Sequence, residues 1–248
     1  GNYLAKVKNA PMLLTNKYEI KTTTEYIKRN LKAGGTVYIL GGTSAIPDSL
    51  KLALDGINVK RLGGTTRYET NELILKEAGV SNEELLVCSG LNFPDAVSAS
   101  ASGRPILLVD KELNKAQESY LATINPKKVF FIGGEAVISK SVFNKIKGEK
   151  ERIFGSNRFE TSKAIAEKLF KKPIGNVIIA SGLDFPDALV GGALNQDMGV
   201  PILLVGDGKE DCDSAKAFVE DNQIMNLTVL GGRNVISQTM VDKILKKR

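Results

Sequence analysis

The chain has 248 residues, of which 42% are hydrophobic and 25% charged, a balance typical of a globular protein with a sizeable core. It carries a net charge of +6 and no histidine, which excludes catalytic sites that need a histidine base, such as Ser-His-Asp triads. No run of about 18 apolar residues is present, so no membrane span is expected.

Residues 1–60 are predicted to form the second half of an α/β repeat and to begin partway along a helix. A strand is predicted at residues 11–14 (Pro-Met-Leu-Leu), and another apolar run leads to the pair Gly41 and Gly42. Two helical patterns accompany these strands. The segment holds nine Lys and Arg against four Asp and Glu, and this +5 balance favours a polymer or an acidic partner.

Two complete repeats are predicted to follow, over residues 61–151 and 152–248. Short runs rich in β-formers occur at 85–89 (Leu-Leu-Val-Cys-Ser) and 176–181 (Asn-Val-Ile-Ile-Ala-Ser), as in buried parallel strands. Each repeat then has a Pro-Ile-Leu-Leu strand and a strand that ends in Gly-Gly, with amphipathic helical patterns between them. This alternation predicts the α/β class, with parallel sheets and right-handed crossovers.

The division into repeats depends on phrases that recur in one order at spacings between 91 and 98 residues. Such agreement excludes chance. The phrases are Pro-x-Leu-Leu from residues 11, 105 and 201, Gly-Gly from 41, 133 and 231 with the short phrase after each pair, Arg-aromatic-Glu-Thr from 67 and 158, and Ser-Gly-Leu-x-Phe-Pro-Asp-Ala from 89 and 181.

The Arg-aromatic-Glu-Thr phrase follows a glycine turn and starts a helix, and its arginine admits two interpretations. Arg67 and Arg158 could pair locally with the glutamate two residues later. They could instead bind an anion, because a guanidinium group matches phosphate in a bidentate manner. Arg61 and Arg152 lie six residues upstream and would support the same contact.

The Ser-Gly-Leu-x-Phe-Pro-Asp-Ala phrase follows a strand and opens a helix. Helix initiation alone would explain it, with Asn92 as N-cap, a proline in the first turn and Asp95 reaching back from N3. The alternative is a cleft at the strand end, where Ser89, Asp95 and free backbone N–H groups meet phosphate or sugar hydroxyls. Ser181 and Asp187 repeat this arrangement.

Other chemistries receive little support from the sequence. The phosphate-binding motifs G-x-x-x-x-G-K-[ST] and G-x-G-x-x-G are absent, so no nucleotide or other cofactor is expected. Aromatic residues make up 6%, with no tryptophan, which argues against nucleic-acid binding through stacked bases. Two cysteines in different segments predict neither a disulfide nor a metal site.

These phrases together resemble the cell wall binding repeat type 2 family of clostridial surface proteins, over essentially the whole chain. The resemblance implies three Rossmann-like repeats packed around a pseudo-threefold axis. It also implies non-covalent anchoring to an anionic cell-wall polysaccharide in the wall or S-layer of a Gram-positive bacterium, with no catalysis. The chain departs from the family pattern at Pro47, where serine is usual, and in the first half-repeat, which puts one of three equivalent sites in doubt.

The expected ligand contacts follow from the chemistry of the repeated phrases and from the family resemblance. Repeated weak contacts to a repeating polymer would raise avidity. The resemblance adds the prolines of the Pro-Ile-Leu-Leu segments, in which no binding chemistry is visible. The predicted contact residues are Arg61, Arg67, Arg152, Arg158, Ser89, Asp95, Ser181, Asp187, Pro105 and Pro201.

Two other functions stay open at this point. One is a carbohydrate-active enzyme using Asp95 and Asp187, although equivalent positions in different repeats do not favour the roughly 5–10 Å separation that glycoside hydrolysis needs. The other is an assembly module that contacts only protein. Residues 1–60 would also leave a sheet edge open, so a cover is expected from a neighbouring repeat, another copy, or a second polypeptide or segment that completes the first repeat.

Overall fold

A computed structural model of the chain describes residues 1–81, 84–194 and 199–245. Helices and strands alternate through these ranges, and the strands form three separate sheets in which all neighbours run parallel. The predicted α/β class with parallel sheets is therefore confirmed. Within the described ranges, no helix combines the length and apolarity needed to cross a membrane.

The first repeat has a two-stranded sheet and three helices. Its elements are α1 (Asn2–Lys8), α2 (Ile20–Asn30), β1 (Thr36–Leu40), α3 (Asp48–Ala53) and β2 (Asn58–Leu62). The two strands pair in register from Thr36 with Asn58 to Leu40 with Leu62. Helices α2 and α3 pack against each other and enclose a small apolar core around Ile39, Leu50 and Leu54.

The second repeat has the fullest sheet, with strands in the order β4-β3-β5-β6. Its elements are α4 (Arg67–Glu77), β3 (Glu84–Ser89), α5 (Pro94–Ser100), β4 (Ile106–Val109), α6 (Lys115–Ile124), β5 (Lys128–Ile132), α7 (Lys140–Lys145) and β6 (Glu149–Ile153). The run predicted at 85–89 is the central strand β3, which is buried along nearly its whole length. Helices cover both faces of such a strand, which is why its sequence is continuously apolar.

The third repeat follows the same plan, with strands in the order β8-β7-β9. Its elements are α8 (Arg158–Leu169), β7 (Asn176–Ser181), α9 (Pro186–Leu194), β8 (Ile202–Val205), α10 (Asp213–Asp221), β9 (Asn226–Leu230) and α11 (Gln238–Leu245). The central strand β7 is again buried from Val177 to Ser181. The strand predicted at 176–181 is confirmed.

The strands β2 and β6 were not predicted from the sequence. Their segments read Asn-Val-Lys-Arg-Leu, with as many charged as apolar residues, and Glu-Lys-Glu-Arg-Ile, with four charged residues and one apolar. Charged side chains are frequent on edge strands, where they oppose pairing with other chains. The predicted division between residues 151 and 152 falls within β6, so the second sheet extends to Ile153.

The prediction of a strand at residues 11–14 is wrong. The equivalent phrases form β4 and β8, each hydrogen-bonded to the central strand of its sheet. Because a strand needs a neighbour for its backbone N–H and C=O groups, residues 11–14 stay irregular without such a strand beside them. Among the described strands, β1 pairs only with β2.

Three equivalent helices, one from each repeat, meet at a common centre. The amide Nδ2 of Asn2 in α1 donates to Ser100 Oγ of α5 at 2.7 Å and to the Leu189 carbonyl of α9 at 3.3 Å. Gly192 completes the contact, because a Cβ there would lie 2.2 Å from Asn2 Nδ2. This meeting of α1, α5 and α9 accounts for the predicted pseudo-threefold packing.

Candidate functional site

Two of the repeated phrases interlock at the carboxyl end of the central strands. The ring of Tyr68 lies over Gly90, where an added Cβ would be 2.4 Å from the ring, and Phe159 lies over Gly182 in the same way at 2.9 Å. Only a residue without a side chain leaves room for these rings. The glycine of the Ser-Gly-Leu phrase is therefore required by the aromatic residue of the Arg-aromatic-Glu-Thr phrase.

The arginines of this phrase reach across the same junction. Arg67 Nη1 donates to the carbonyl of Gly90 at 2.5 Å, and Arg158 Nη1 donates to the carbonyl of Gly182 at 2.6 Å. The local arginine–glutamate pair considered from the sequence is not formed. Each glutamate instead accepts from the backbone N–H four residues before it, Glu69 Oε2 from Thr65 N at 2.7 Å and Glu160 Oε2 from Ser156 N at 2.8 Å.

The upstream arginines hold the Gly-Gly turns. Arg61 Nη1 donates to the Gly41 carbonyl and Arg152 Nη1 to the Gly133 carbonyl, both at 2.8 Å. Arg61 also forms an ion pair with Asp48 at 3.1 Å. Arg152 lies over the ring of a phenylalanine in α7, and burial lowers its pKa. These two side chains have structural partners and fewer donors left for a ligand.

The start of the Phe-Pro-Asp-Ala helix differs from the prediction. Phe93, not Asn92, occupies the N-cap position of α5, and Pro94 is the first helical residue, which places Asp95 at N2. Asn92 Oδ1 accepts from the next backbone N–H at 3.1 Å and so caps no helix donor. The side chain of Asp95 is not at the N-cap, and its Oδ2 lies against Gly133 of the same repeat.

The two predicted serines satisfy the turns that follow β3 and β7. Ser89 Oγ accepts from Leu91 N at 3.2 Å, and Ser181 Oγ accepts from Leu183 N at 3.1 Å. Both serines are buried. Their hydroxyls are therefore part of the loop structure beneath the surface.

Helices α5 and α8 form the boundary between the second and third repeats. Helix α5 packs against α8, and the rings of Phe93 and Phe185 lie 5.6 Å apart at the same boundary. Burial raises the pKa of Asp95 to about 6, against the opposing attraction of Arg158. Asp95 Oδ2 also lies against Gly133, where an added Cβ would be 3.0 Å away. The boundary therefore combines a partly buried carboxyl, a guanidinium group and two rings.

The equivalent residues at the other boundaries are exposed. Asp187 lies against Gly231 as Asp95 lies against Gly133, but its side chain is open to solvent. Arg67 is exposed where Arg158 is half-buried. Neither arginine has a carboxylate within ion-pair distance among the described residues, so each keeps guanidinium donors free.

Exposed hydrophobic side chains occur at the same end of the sheets as these charged residues, and we call them the apolar rim. The loops after the carboxyl ends of the strands in the second and third repeats carry six exposed hydrophobic side chains, of which Leu91 with Leu183 and Val137 with Val235 occupy equivalent positions. The six are Leu91, Val137, Phe154, Leu183, Phe185 and Val235. We call the surface formed by this rim, Arg67, Asp95, Arg158 and Asp187 the carboxyl-end face. Exposed apolar groups around a few charges are characteristic of interaction surfaces.

The two predicted prolines lie at the opposite, amino ends of the strands. Pro105 and Pro201 are buried, and their carbonyls accept from Leu86 N and Ile178 N, both at 2.9 Å. Their role in the structure is to start β4 and β8. Pro105 also lines a cavity of about 430 Å³ between α1 and the second repeat.

Sequence reasoning missed the two cations of that cavity. Lys6 Nζ donates to the Gly103 carbonyl at 3.1 Å. Arg104 pairs with Glu84 and donates to the Leu169 carbonyl of the third repeat at 3.0 Å. Neither cation recurs in the other repeats, so the comparison of phrases carried no signal for them.

The fold and this face define a tandem-repeat binding module, and the chain belongs to the family described as Cell wall binding domain 2 (CWB2). The family model matches residues 1–51, 61–143 and 152–241. The family expected from the sequence is therefore confirmed, and its description assigns binding of the cell wall.

Two curated relatives come from Bacillus subtilis strain 168. The chain is 28% identical over 252 residues to the N-acetylmuramoyl-L-alanine amidase LytC and 32% identical over 243 residues to the amidase enhancer. These matches cover 97% and 94% of this chain but only 49% and 33% of the relatives. The chain thus spans half or less of each.

Two solved structures from Clostridium difficile share the fold. Cwp8 is 26% identical with a TM-score of 0.81, over 98% of this chain and 44% of that one. Cwp6 is 22% identical with the same TM-score of 0.81, over 100% of this chain and 41% of that one.

Proposed function

We propose that this chain anchors a surface protein of a Gram-positive bacterium by binding an anionic cell-wall polysaccharide at its carboxyl-end face. Membership of the wall-binding family supports the wall as target. The observation that supports an anionic ligand is the equivalent placement of Arg67 and Arg158. Each uses one N–H on a carbonyl of its own repeat and keeps other donors for a phosphate or carboxylate group.

The remaining groups of the face suit a sugar chain. Exposed rings and leucines can lie against the apolar faces of sugar rings, and the carboxyl of Asp95 can exchange hydrogen bonds with hydroxyl groups. Because Arg67 and Arg158 belong to different repeats, one polymer strand can meet both, which raises avidity over a single contact. We expect no catalysis by this chain, since the two aspartates occupy equivalent places on different repeats.

Sedimentation with purified walls tests the proposal. The chain should sediment with intact walls, and this should be lost after the anionic polymer is stripped from them. Raising the salt from about 0.05 to 0.5 M should weaken binding, because exposed charges are screened within about 10 Å or less.

Arginine variants locate the contact. Arg67→Ala and Arg158→Ala should each reduce wall binding several-fold, while Arg158→Lys retains part of it because the charge remains without the planar fork. Lys127→Ala is the matched control, since it removes one exposed charge at the amino end of β5. Unchanged binding in both alanine variants, or equal binding to stripped walls, would exclude the proposed contact.

A further inference from the structure

The cavity at the amino ends of the strands lies away from the carboxyl-end face. It has a volume of about 430 Å³ and is found where α1 of the first repeat meets the start of β3 and the loop before β4. Ligand cavities in proteins commonly have volumes of about 300–1,000 Å³. The space therefore suffices for a small molecule or for one unit of a larger one.

Two cations from different repeats line this cavity. Lys6 of α1 donates to the Gly103 carbonyl at 3.1 Å, which occupies one of the three N–H donors of its ammonium group. Arg104 pairs with Glu84 and donates to the Leu169 carbonyl at 3.0 Å, which occupies two of the five donors of its guanidinium group. Both groups are thus positioned by the protein and keep donors for an anion.

The turn before β4 is built around the ammonium group of Lys6. Gly103 has a positive φ of 64°, and a Cβ added there would lie 2.9 Å from Lys6 Nζ, so both the backbone and the contact favour glycine. The residues equivalent to Arg104, each directly before the proline of a Pro-x-Leu-Leu phrase, are Ala10 and Val200. The turn itself therefore does not require an arginine, and the cation is a property of the second repeat.

The remaining surroundings suit a sugar ring that carries a negative charge. Three apolar or aromatic residues line the cavity beside the cations: Tyr3, Val7 and Val80. The chain after Leu169, whose carbonyl binds Arg104, continues into Lys171 and Lys172, which are both exposed. A cluster of positive charges near a cavity raises the local concentration of anionic ligands.

We propose that this cavity binds one sugar unit that carries a phosphate or carboxylate group. The anion contacts Lys6 and Arg104, since an ammonium group and a planar guanidinium group both bind either anion, and the sugar ring lies against the apolar wall. Together with the polymer contact proposed for the carboxyl-end face, on which this consequence rests, one module holds two saccharide segments at opposite ends of its sheets.

Titration of the full chain with small sugars tests the site. Glucose 6-phosphate and glucuronate should shift the amide NMR signals of Val7, Gly103 and Arg104 in a saturable way, whereas glucose should not. A response to only one of the two anionic sugars supports the site and identifies the source of the anion. No saturable shift with either sugar at about 10 mM, or inorganic phosphate that binds as tightly as glucose 6-phosphate, would overturn the proposal.

Variants of the two cations give an independent measurement. Lys6→Gln should weaken binding of the responding sugar by about tenfold, because it removes a charged hydrogen bond to the anion, and Arg104→Lys should also weaken it, because the planar fork is lost. Lys51→Gln is the matched control, since it removes an exposed lysine from α3 of the same repeat. Equal affinities in Lys6→Gln and Lys51→Gln would contradict the site.

The two proposed contacts can fail separately. Arg67→Ala, in the carboxyl-end face, should reduce sedimentation with walls and leave the binding of small sugars unchanged. Lys6→Gln should reduce the binding of small sugars even if walls bind elsewhere. A loss of small-sugar binding in Arg67→Ala equal to that in Lys6→Gln would place the sugar at the carboxyl-end face and overturn the cavity as its site.

Discussion

Replacing Asp95 by asparagine is expected to stabilise the folded chain at neutral pH. Burial raises the pKa of this carboxyl from 3.8 to about 6, and Arg158 offsets only part of that effect. A folded-state pKa above the unfolded value means that the bound proton stabilises the fold. This contribution is fully present below pH 3.8 and is lost as the pH rises through about 6.

The size of the effect follows from the pKa. Ionising Asp95 in the folded chain costs up to about 3 kcal/mol relative to the unfolded chain, at about 1.4 kcal/mol for each pH unit between the two pKa values. Asparagine keeps the shape and removes the charge, but it also removes the attraction to Arg158 in the ionised state. We therefore expect a gain of about 1–3 kcal/mol above pH 7, which corresponds to a Tm increase of about 3–9 °C for a chain of this length.

Thermal unfolding measured from pH 4 to pH 8 tests this reasoning. The Tm difference between Asp95→Asn and the parent chain should be small near pH 4 and should grow through pH 6 to a plateau. Asp187→Asn is the control, because it makes the same substitution at the equivalent but exposed position of the third repeat. A variant less stable than the parent at pH 7.5, or a difference that does not change with pH, would refute the assigned burial of Asp95.

Three further outcomes are expected. Gly192→Ala should lower the Tm by about 3–9 °C, because its methyl group would overlap Asn2 at the centre of the three helices, whereas Gly175→Ala, with nothing within 4 Å, should change it little; unfolding curves of both variants check this. Arg104→Ala should destabilise the chain by about 1–2 kcal/mol in urea unfolding, because it removes a hydrogen bond between repeats. Incubation with peptidoglycan or wall polysaccharide should release no product, and turnover that disappears in Asp95→Asn would contradict the binding-only function.

Several site predictions failed for local reasons that a sequence alone leaves open. Helix α5 begins one residue later than the N-cap preference of Asn92 suggested, since Pro94 takes the first helical position and shifts Asp95 to N2. The guanidinium groups of Arg67 and Arg158 bond carbonyls more than 20 residues away in the sequence instead of the nearby glutamates. The sequence pattern is compatible with an arginine–glutamate pair and with a contact to a distant residue. The distant contact forms in the structure, where the aromatic residue after each arginine packs on the glycine whose carbonyl the arginine binds.

The sequence by itself determined the repeats, the α/β class and the central strands, because these depend on periodic apolar residues and on short-range helix and turn chemistry. It also located Arg158 and Asp95 as candidates, since their phrases recur. Only the tertiary structure decided that the helices that carry them, α5 and α8, pack across a boundary between repeats, and that residues 11–14 form no strand. The reason is physical: a strand is stabilised by hydrogen bonds to another strand, and a pKa depends on whichever groups surround the carboxyl, so neither property belongs to a local segment alone.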